Sequence, residues 1–287
     1  MRTISIVGAG RVGRTLGRRL RELGWRVEAV VTQSRGTAQA AVAAIGGGKA
    51  CTGITPEVLR ADVVLTTTPD GALEPTARAM ARVGGRGWRG KTVLHTSGAL
   101  DSGVLAALAR RGAATGSLHP LQTFSGRGTP KLDGVIFAVE GDRQAQRVAQ
   151  QIARSLGGVP VVIRGGDKPV YHAAGALVAS QALALVEAAT RMLMKIGFTR
   201  QRAQKALLPL MRQMLDNFER LGAKPAWTGP IARGDYATVR KHVRALRQHP
   251  KELRESYEAL ALLAGRVLAV KPEKAIRHLR AAMGNKR

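Results

Sequence analysis

Short apolar runs alternate with amphipathic stretches over the first half of the chain, and the alternation then stops. Ile4 to Val7 opens as a buried run, and residues 26–31, 63–68, 91–96, 113–118, 135–139 and 159–163 repeat the pattern between turn residues. Runs of this length bounded by Gly, Pro, Asp or Ser predict strands covered on both faces. Residues 12–23, 37–44 and 142–156 place apolar side chains at helical spacing between them. Beyond Gly165-Gly166-Asp167 the strand signal ceases. Helices are predicted over residues 168–196, 200–221, 236–248, 252–269 and 273–283, punctuated by Pro225, Pro230, Pro250 and Pro272. Asp167 is placed to cap the first of these, and Pro169 falls in its first turn, where proline is tolerated. The expected architecture is an α/β domain with a mostly parallel sheet over residues 1–165, followed by an all-α domain over residues 166–287.

The turn after the first run narrows the α/β half. It reads Gly8-Ala9-Gly10-Arg11-Val12-Gly13, a G-x-G-x-x-G between a strand and a helix. In that context Gly8 allows the tight turn, Gly10 leaves room for a pyrophosphate against the backbone, and Gly13 lets helix and strand pack closely. The free N–H groups of the helix start would face the phosphates. A glycine-rich turn that binds nothing is the bland alternative; the strand–turn–helix setting favours a Rossmann-type dinucleotide domain.

The second strand ends in Thr32-Gln33-Ser34-Arg35, without the acidic residue that accepts from the ribose 2′-OH of NAD; Glu28 comes too early. Ser34 and Arg35 suit a 2′-phosphate instead, which points to NADP. Thr68, Pro69, Ser97 and Gly98 follow later strands on the same carboxyl edge and are candidates to touch the ribose and nicotinamide side.

Charge complicates this picture. The chain has 287 residues, with 46 Lys and Arg against 19 Asp and Glu, a net charge of +27. The excess is spread evenly, +13 over residues 1–166 and +14 over residues 167–287, with no basic tail. Aromatic residues are 3% of the chain, so stacking platforms for single strands are scarce. A nucleic-acid partner is therefore the weaker reading, and an arginine-rich surface that attracts anionic ligands the stronger. Cys51 is the single cysteine and reads as a buried or incidental thiol. No set of metal ligands is expected. No run looks long enough to span a membrane, and the immediate entry into a strand leaves no room for a signal peptide, so a cytoplasmic enzyme is expected.

Three polar constellations interrupt apolar surroundings. The first is His119-Pro120-Leu121-Gln122-Thr123-Phe124, placed just past a strand end. The second is Lys168-x-x-Tyr171-His172, where Lys168 and His172 share a helical face. The third is the loop Thr228-Gly229-Pro230-Ile231-Ala232-Arg233-Gly234-Asp235. A hydride-transfer site needs a proton donor, and His172 or His119 can supply one, with Lys168 and Gln122 orienting the substrate. Each histidine could instead be structural. Tyr171, Ser180, Gln181, Thr228 and Arg233 are candidates to contact substrate. Arg233 could bind an anion or pair with Asp235, and Asp235 could cap the next helix.

The order of these motifs, together with Pro69-Asp70, His95-Thr96-Ser97-Gly98-Ala99 and Tyr171-His172-Ala173-Ala174, resembles a family of Rossmann-like proteins with a helical C-terminal domain of unknown function. That family lies within the superfamily of 6-phosphogluconate dehydrogenase, ketopantoate reductase and pyrroline-5-carboxylate reductase. The resemblance spans nearly the whole chain. It implies a dinucleotide-binding domain, an all-helical second domain and a homodimer formed through that second domain. Its better-known cousins carry a catalytic Lys and then Asn on the first long helix. Here His172 stands in the Lys place, Ala176 and Ser180 in the Asn places, and Gln181 where the family itself has Asn. The reading that follows is an NADP(H)-dependent oxidoreductase acting on a small carbonyl or imine compound. The rival is an NADP-binding sensor or scaffold without catalysis.

Overall fold

The computed structural model describes residues 2–126, 128 and 130–284. Its backbone contacts divide into two compact units, Met1–Ala179 and Ser180–Arg287.

The first unit is built on one eight-stranded sheet, ordered β3-β2-β1-β4-β5-β6-β7-β8. The strands are β1 (Thr3–Val7), β2 (Arg26–Val31), β3 (Lys49–Cys51), β4 (Val63–Thr66), β5 (Thr92–His95), β6 (Ala114–Pro120), β7 (Ile136–Gly141) and β8 (Val159–Val162). Every pairing is parallel except β6 with β7. Helices α1 (Arg11–Glu22), α2 (Arg35–Ile45), α3 (Asp70–Gly84), α4 (Ala106–Ala109), α5 (Arg143–Ser155) and α6 (Lys168–Ala176) complete it.

All residues of β1, β4 and β5 are buried, as parallel strands covered on both faces require. One core cluster packs Ile4, Ile6, Leu65 and Leu94 with Leu16 and Leu20 of α1 and Ile152 of α5. The other packs Val7, Val64 and Val93 with Met80 of α3 and Trp88.

Within the second unit, α7 (Ala182–Lys195), α8 (Arg200–Leu221), α9 (Ala223–Ala226), α10 (Tyr236–Leu246), α11 (Lys251–Val267) and α12 (Pro272–Met283) form an all-α array. Val239 and Val243 of α10, Ala261 of α11 and Leu279 of α12 make its small core. Fold class and order of elements follow the hydrophobic pattern.

Several local readings are corrected. The short β3 and the helix α3 carried no clear periodic signal; α3 holds Pro75 and a mixed polar face. His119 and Pro120 lie inside β6, where antiparallel pairing with Ala138 and Phe137 extends the strand, and not beyond its end. Strand signal ends near Gly165-Gly166, but the first compact unit reaches Ala179, because the buried Lys168 ties the start of α6 to the sheet. Between α6 and α7 the helix passes through a π-helical turn, Leu177–Gln181.

The membrane reading changes too. The helical run Gly165–Lys195 has a mean hydropathy of 1.4 over its most apolar window and is long and apolar enough to cross a membrane. Only 6% of that window is buried within the chain. Scattered His, Ser and Gln interrupt the run by eye without lowering its average below that of a span.

Candidate active site

The glycine turn leaves backbone space at one of its three glycines. Gly8 adopts φ +87°, and a Cβ there would lie 2.5 Å from Cγ2 of Thr68. A Cβ on Gly13 would lie 2.3 Å from Oγ1 of Thr67, whose hydroxyl donates to the Gly8 carbonyl. Gly10 differs: it is exposed, and a Cβ would meet only the Gly8 carbonyl, at 3.9 Å. Gly8 and Gly13 thus serve the fold, and Gly10 leaves open space above the start of α1. Gly10 occupies the cap position of α1 without a side-chain cap, so the first N–H groups of that helix remain available.

Ala9 is buried, and its carbonyl accepts from Nε of Arg14. Arg11 donates to the Phe124 carbonyl, bringing the loop after β6 over the turn. A cavity of about 450 Å³ lies beside it, lined by Gly10, Arg11, Arg14, Thr15 and Arg18 among others. Val12 packs partly buried against the core. Oγ1 of Thr68 is buried and has no hydrogen-bond partner among the described residues. Such orphaned hydroxyls mark places where a ligand or water completes the bonding. These features fit a phosphate-bearing dinucleotide.

At the tip of β2, Ser34 caps α2, accepting from the Thr37 N–H at 3.3 Å. Arg35 is exposed and makes no ion pair among the described residues. Glu28 lies within β2 and pairs with Arg26.

A second cluster stands on the ends of β5 and β6, at the same carboxyl edge of the sheet. His119 presents Nδ1 to the hydroxyl of Tyr171, 3.1 Å away, and the two rings meet edge to face. The His172 ring lies 5.9 Å from that of His119, centroid to centroid. Gly98 sits beneath both. A Cβ on it would come within 2.6 Å of His172 Cδ2 and 2.7 Å of His119 Nε2. Burial pushes His119 down to about 4, assisted by the nearby Lys168 and His172 charges. Burial likewise raises the Tyr171 hydroxyl to about 12. Both groups are neutral near pH 7, whereas His172 is exposed.

Lys168 does share a helix face with His172, but its ammonium turns inward. It is wholly buried and donates to the Ser97 carbonyl at 2.9 Å and to Oγ of Ser117 at 2.8 Å. Ser117 in turn lies 3.5 Å from the Glu140 carboxylate, which also accepts from the amide and hydroxyl of Ser102. Burial pushes Lys168 down to about 8, against the opposing pull of Glu140, Asp101 and Asp70. The expectation that Lys168 orients a substrate therefore gives way to an anchoring role.

Ser97 is similarly engaged: its hydroxyl accepts from the amides of Ala99 and Leu100. Gln122 is exposed and turned into its own loop, accepting from the Thr123 amide at 2.7 Å and donating to the Lys131 carbonyl. Pro69 is exposed at the cap of α3. Ser180 and Gln181 are exposed on the π-helical turn, Thr228 is exposed, and Arg233 lines a cavity of the second unit. Among the described residues no group of His, Cys, Asp and Glu could hold a metal ion.

Two family models cover most of this architecture. Residues 2–120 match a Rossmann-like domain, and residues 135–264 match a domain of unknown function, DUF2520. The chain thus carries, in order, a stretch similar to a Rossmann-like domain and a stretch similar to DUF2520. No curated protein matches it.

Solved structures do resemble it. A Thermotoga maritima protein shares 21% identity, with 99% of each chain covered and a TM-score of 0.68. A Bacteroides fragilis protein assigned as an NADP oxidoreductase shares 19%, covering 96% of this chain and 98% of that one, with a TM-score of 0.72. A reductive aminase from Aspergillus terreus, in complex with NADPH and ethyl-5-oxohexanoate, shares 15%, covering 96% and 94%, with a TM-score of 0.69. At these identities the likeness establishes the fold.

Sequence reasoning overlooked His95, Ser117 and Glu140 as parts of this edge. His95 is fully buried; its Nδ1 accepts from the Ser97 amide, so Nε2 carries the proton donated to the Asp101 carbonyl. Burial holds it down at about 3. The available signal was polar residues set in otherwise apolar strands: Ser117 within β6 and Glu140 near the end of β7.

Proposed function

We propose that this protein is an NADP-dependent oxidoreductase that reduces a small carbonyl or imine compound. The carrying observation is a juxtaposition along one carboxyl edge: the open glycine turn at the end of β1, and the His119–Tyr171–His172 cluster over Gly98. Ligands of open α/β sheets bind at this edge. When bound, NADPH supplies a hydride from its nicotinamide.

The chain supplies the rest. The α1 N-terminus and the Arg11–Arg14 wall hold the pyrophosphate. Arg35, exposed beside the α2 N-terminus, holds the 2′-phosphate. The exposed His172 delivers the proton to the nascent oxygen or nitrogen, and the neutral His119–Tyr171 pair orients the substrate.

The test is a titration with NADPH and NADH, then a panel of ketones, imines and hydroxy acids. Tighter binding of NADPH, turnover of at least one compound, and a loss of turnover in His172→Ala are expected. NADPH binding without turnover of any compound would favour the sensor reading. Full turnover in both His172→Ala and His119→Ala would overturn the proton-donor assignment.

We infer also that two copies pair through their helical parts. The support is apolar exposure: Leu183 and Leu210 are each 68% exposed, and Phe218, Leu221 and Val267 are exposed nearby in sequence or in the same helical unit. Monomeric surfaces rarely leave so much apolar side chain in water. Sedimentation equilibrium in the micromolar range checks this, and a persistent monomer would refute it.

A further inference from the structure

The second unit carries a cavity of its own, of about 740 Å³. That volume lies in the range of small-molecule sites. Its rim is formed by the T-G-P-I-A-R-G-D loop, the start of α10, the connection from α11 to α12, and α12 itself.

The loop is rigidly turned. Gly229 and Gly234 adopt φ +99° and +71°, a region other residues rarely enter. The Asp235 amide donates to the Pro230 carbonyl at 2.8 Å, and the Gly234 amide to the Ile231 carbonyl at 3.0 Å. This backbone fixes Ile231, Ala232 and Arg233 against the cavity.

The lining chemistry is one-sided. Among the described residues four cations, Lys224, Arg233, Lys271 and Lys274, border the space, and no carboxylate does. None of the four makes a side-chain hydrogen bond or ion pair among the described residues. The two nearest acids in sequence are engaged elsewhere. Asp235 caps α10, accepting from the Thr238 amide at 3.1 Å, and makes no ion pair with Arg233 among the described residues. Glu273 pairs with Arg266. The remaining wall is mostly aliphatic, with Leu268 and Val270 among its residues, and carries aromatic side chains as well: Trp227, and the Tyr236 ring stacked on His278 with centroids 5.0 Å apart and planes 20° from parallel. Cations beside aromatic side chains favour an anionic group carried on a planar body.

We propose that this cavity is a binding site for a small aromatic anion, a phosphate or carboxylate attached to a flat ring. Arg233 and Lys274 take the anionic group, and Trp227 packs against the ring. The site stands on the geometry of the second unit alone and does not depend on the nicotinamide reading.

Calorimetric titration of the full chain with 1-naphthyl phosphate tests it, with 1-naphthol and inorganic phosphate as controls. One saturable site per chain is expected, with each control weaker by about tenfold or more. The Arg233→Gln/Lys274→Gln double variant should lose about tenfold or more in affinity, and Trp227→Leu a smaller factor. Arg11→Gln/Arg14→Gln, at the glycine turn of the first unit, should leave the affinity unchanged. The proposal is overturned if the wild type shows no saturable binding, or if the Arg233/Lys274 variant binds as tightly as the wild type. It also fails if the Arg11/Arg14 variant is the one that loses affinity.

Discussion

The hydroxyl of Tyr171 and Nδ1 of His119 lie 3.1 Å apart, joining α6 to β6 across 52 residues of chain. Gly98 makes this possible, because it leaves room for the His119 and His172 rings above the loop after β5. Gly98→Ala is expected to displace both rings. With a compound that the wild type reduces, turnover should fall about tenfold or more through lost orientation, while NADPH affinity is kept. Steady-state kinetics beside a binding titration separate the two, and undiminished turnover would count against the site.

The glycine turn divides into structural and ligand-facing positions. Gly13→Ala forces a Cβ against Thr67 and Ile6, and overpacking of this kind costs about 1–3 kcal/mol. Gly10→Ala meets nothing closer than 3.9 Å and should melt like the wild type, yet bind NADPH more weakly. Thermal melts with and without NADPH distinguish these outcomes. A destabilised Gly10→Ala, or unchanged NADPH binding by it, would contradict the division.

Lys168 is an anchor. Lys168→Met leaves the Ser97 carbonyl and the Ser117 hydroxyl without their buried donor and removes the cation that attracts the Glu140 carboxylate, and leaving buried polar groups unsatisfied in this way costs about 1–3 kcal/mol. Adding Glu140→Gln should restore part of that stability, because the charge left without its cation is removed. Urea unfolding of the single and double variants reads this coupling; purely additive losses would exclude it.

Acid should loosen the first unit over a defined window. His119 is held at about 4 and His95 at about 3, both below the ordinary 6.5. Their neutral forms are the native ones, so the unfolded chain takes up protons first as pH falls. The stability they contribute is complete above about 6.5 and is lost as pH drops to about 4 and then about 3. His119→Phe should give a shallower decline of melting temperature across that window than the wild type. Parallel pH profiles would show instead that His119 titrates normally.

Much of the architecture was legible because it is written locally. Strands covered on both faces leave continuous apolar runs, and amphipathic helices leave a period. Hence β1, β2, β4 and the long helices could be placed from sequence, whereas the three-residue β3 and the Pro-containing α3 could not. The candidate site was legible as residue types, His119, Tyr171 and His172, but not as an arrangement.

The sequence by itself determined the strand–turn–helix opening, the change from α/β to all-α, and the absence of an acid at the tip of β2, since each depends on neighbours in the chain. Tertiary structure alone decided that Lys168 turns inward to Ser97, 71 residues away, and that Gly98 underlies two histidines. It also decided that four cations of the second unit border one cavity. Those outcomes depend on which distant side chains share a buried space, and on the cost of burying a charge without a partner. Local periodicity carries no information about either.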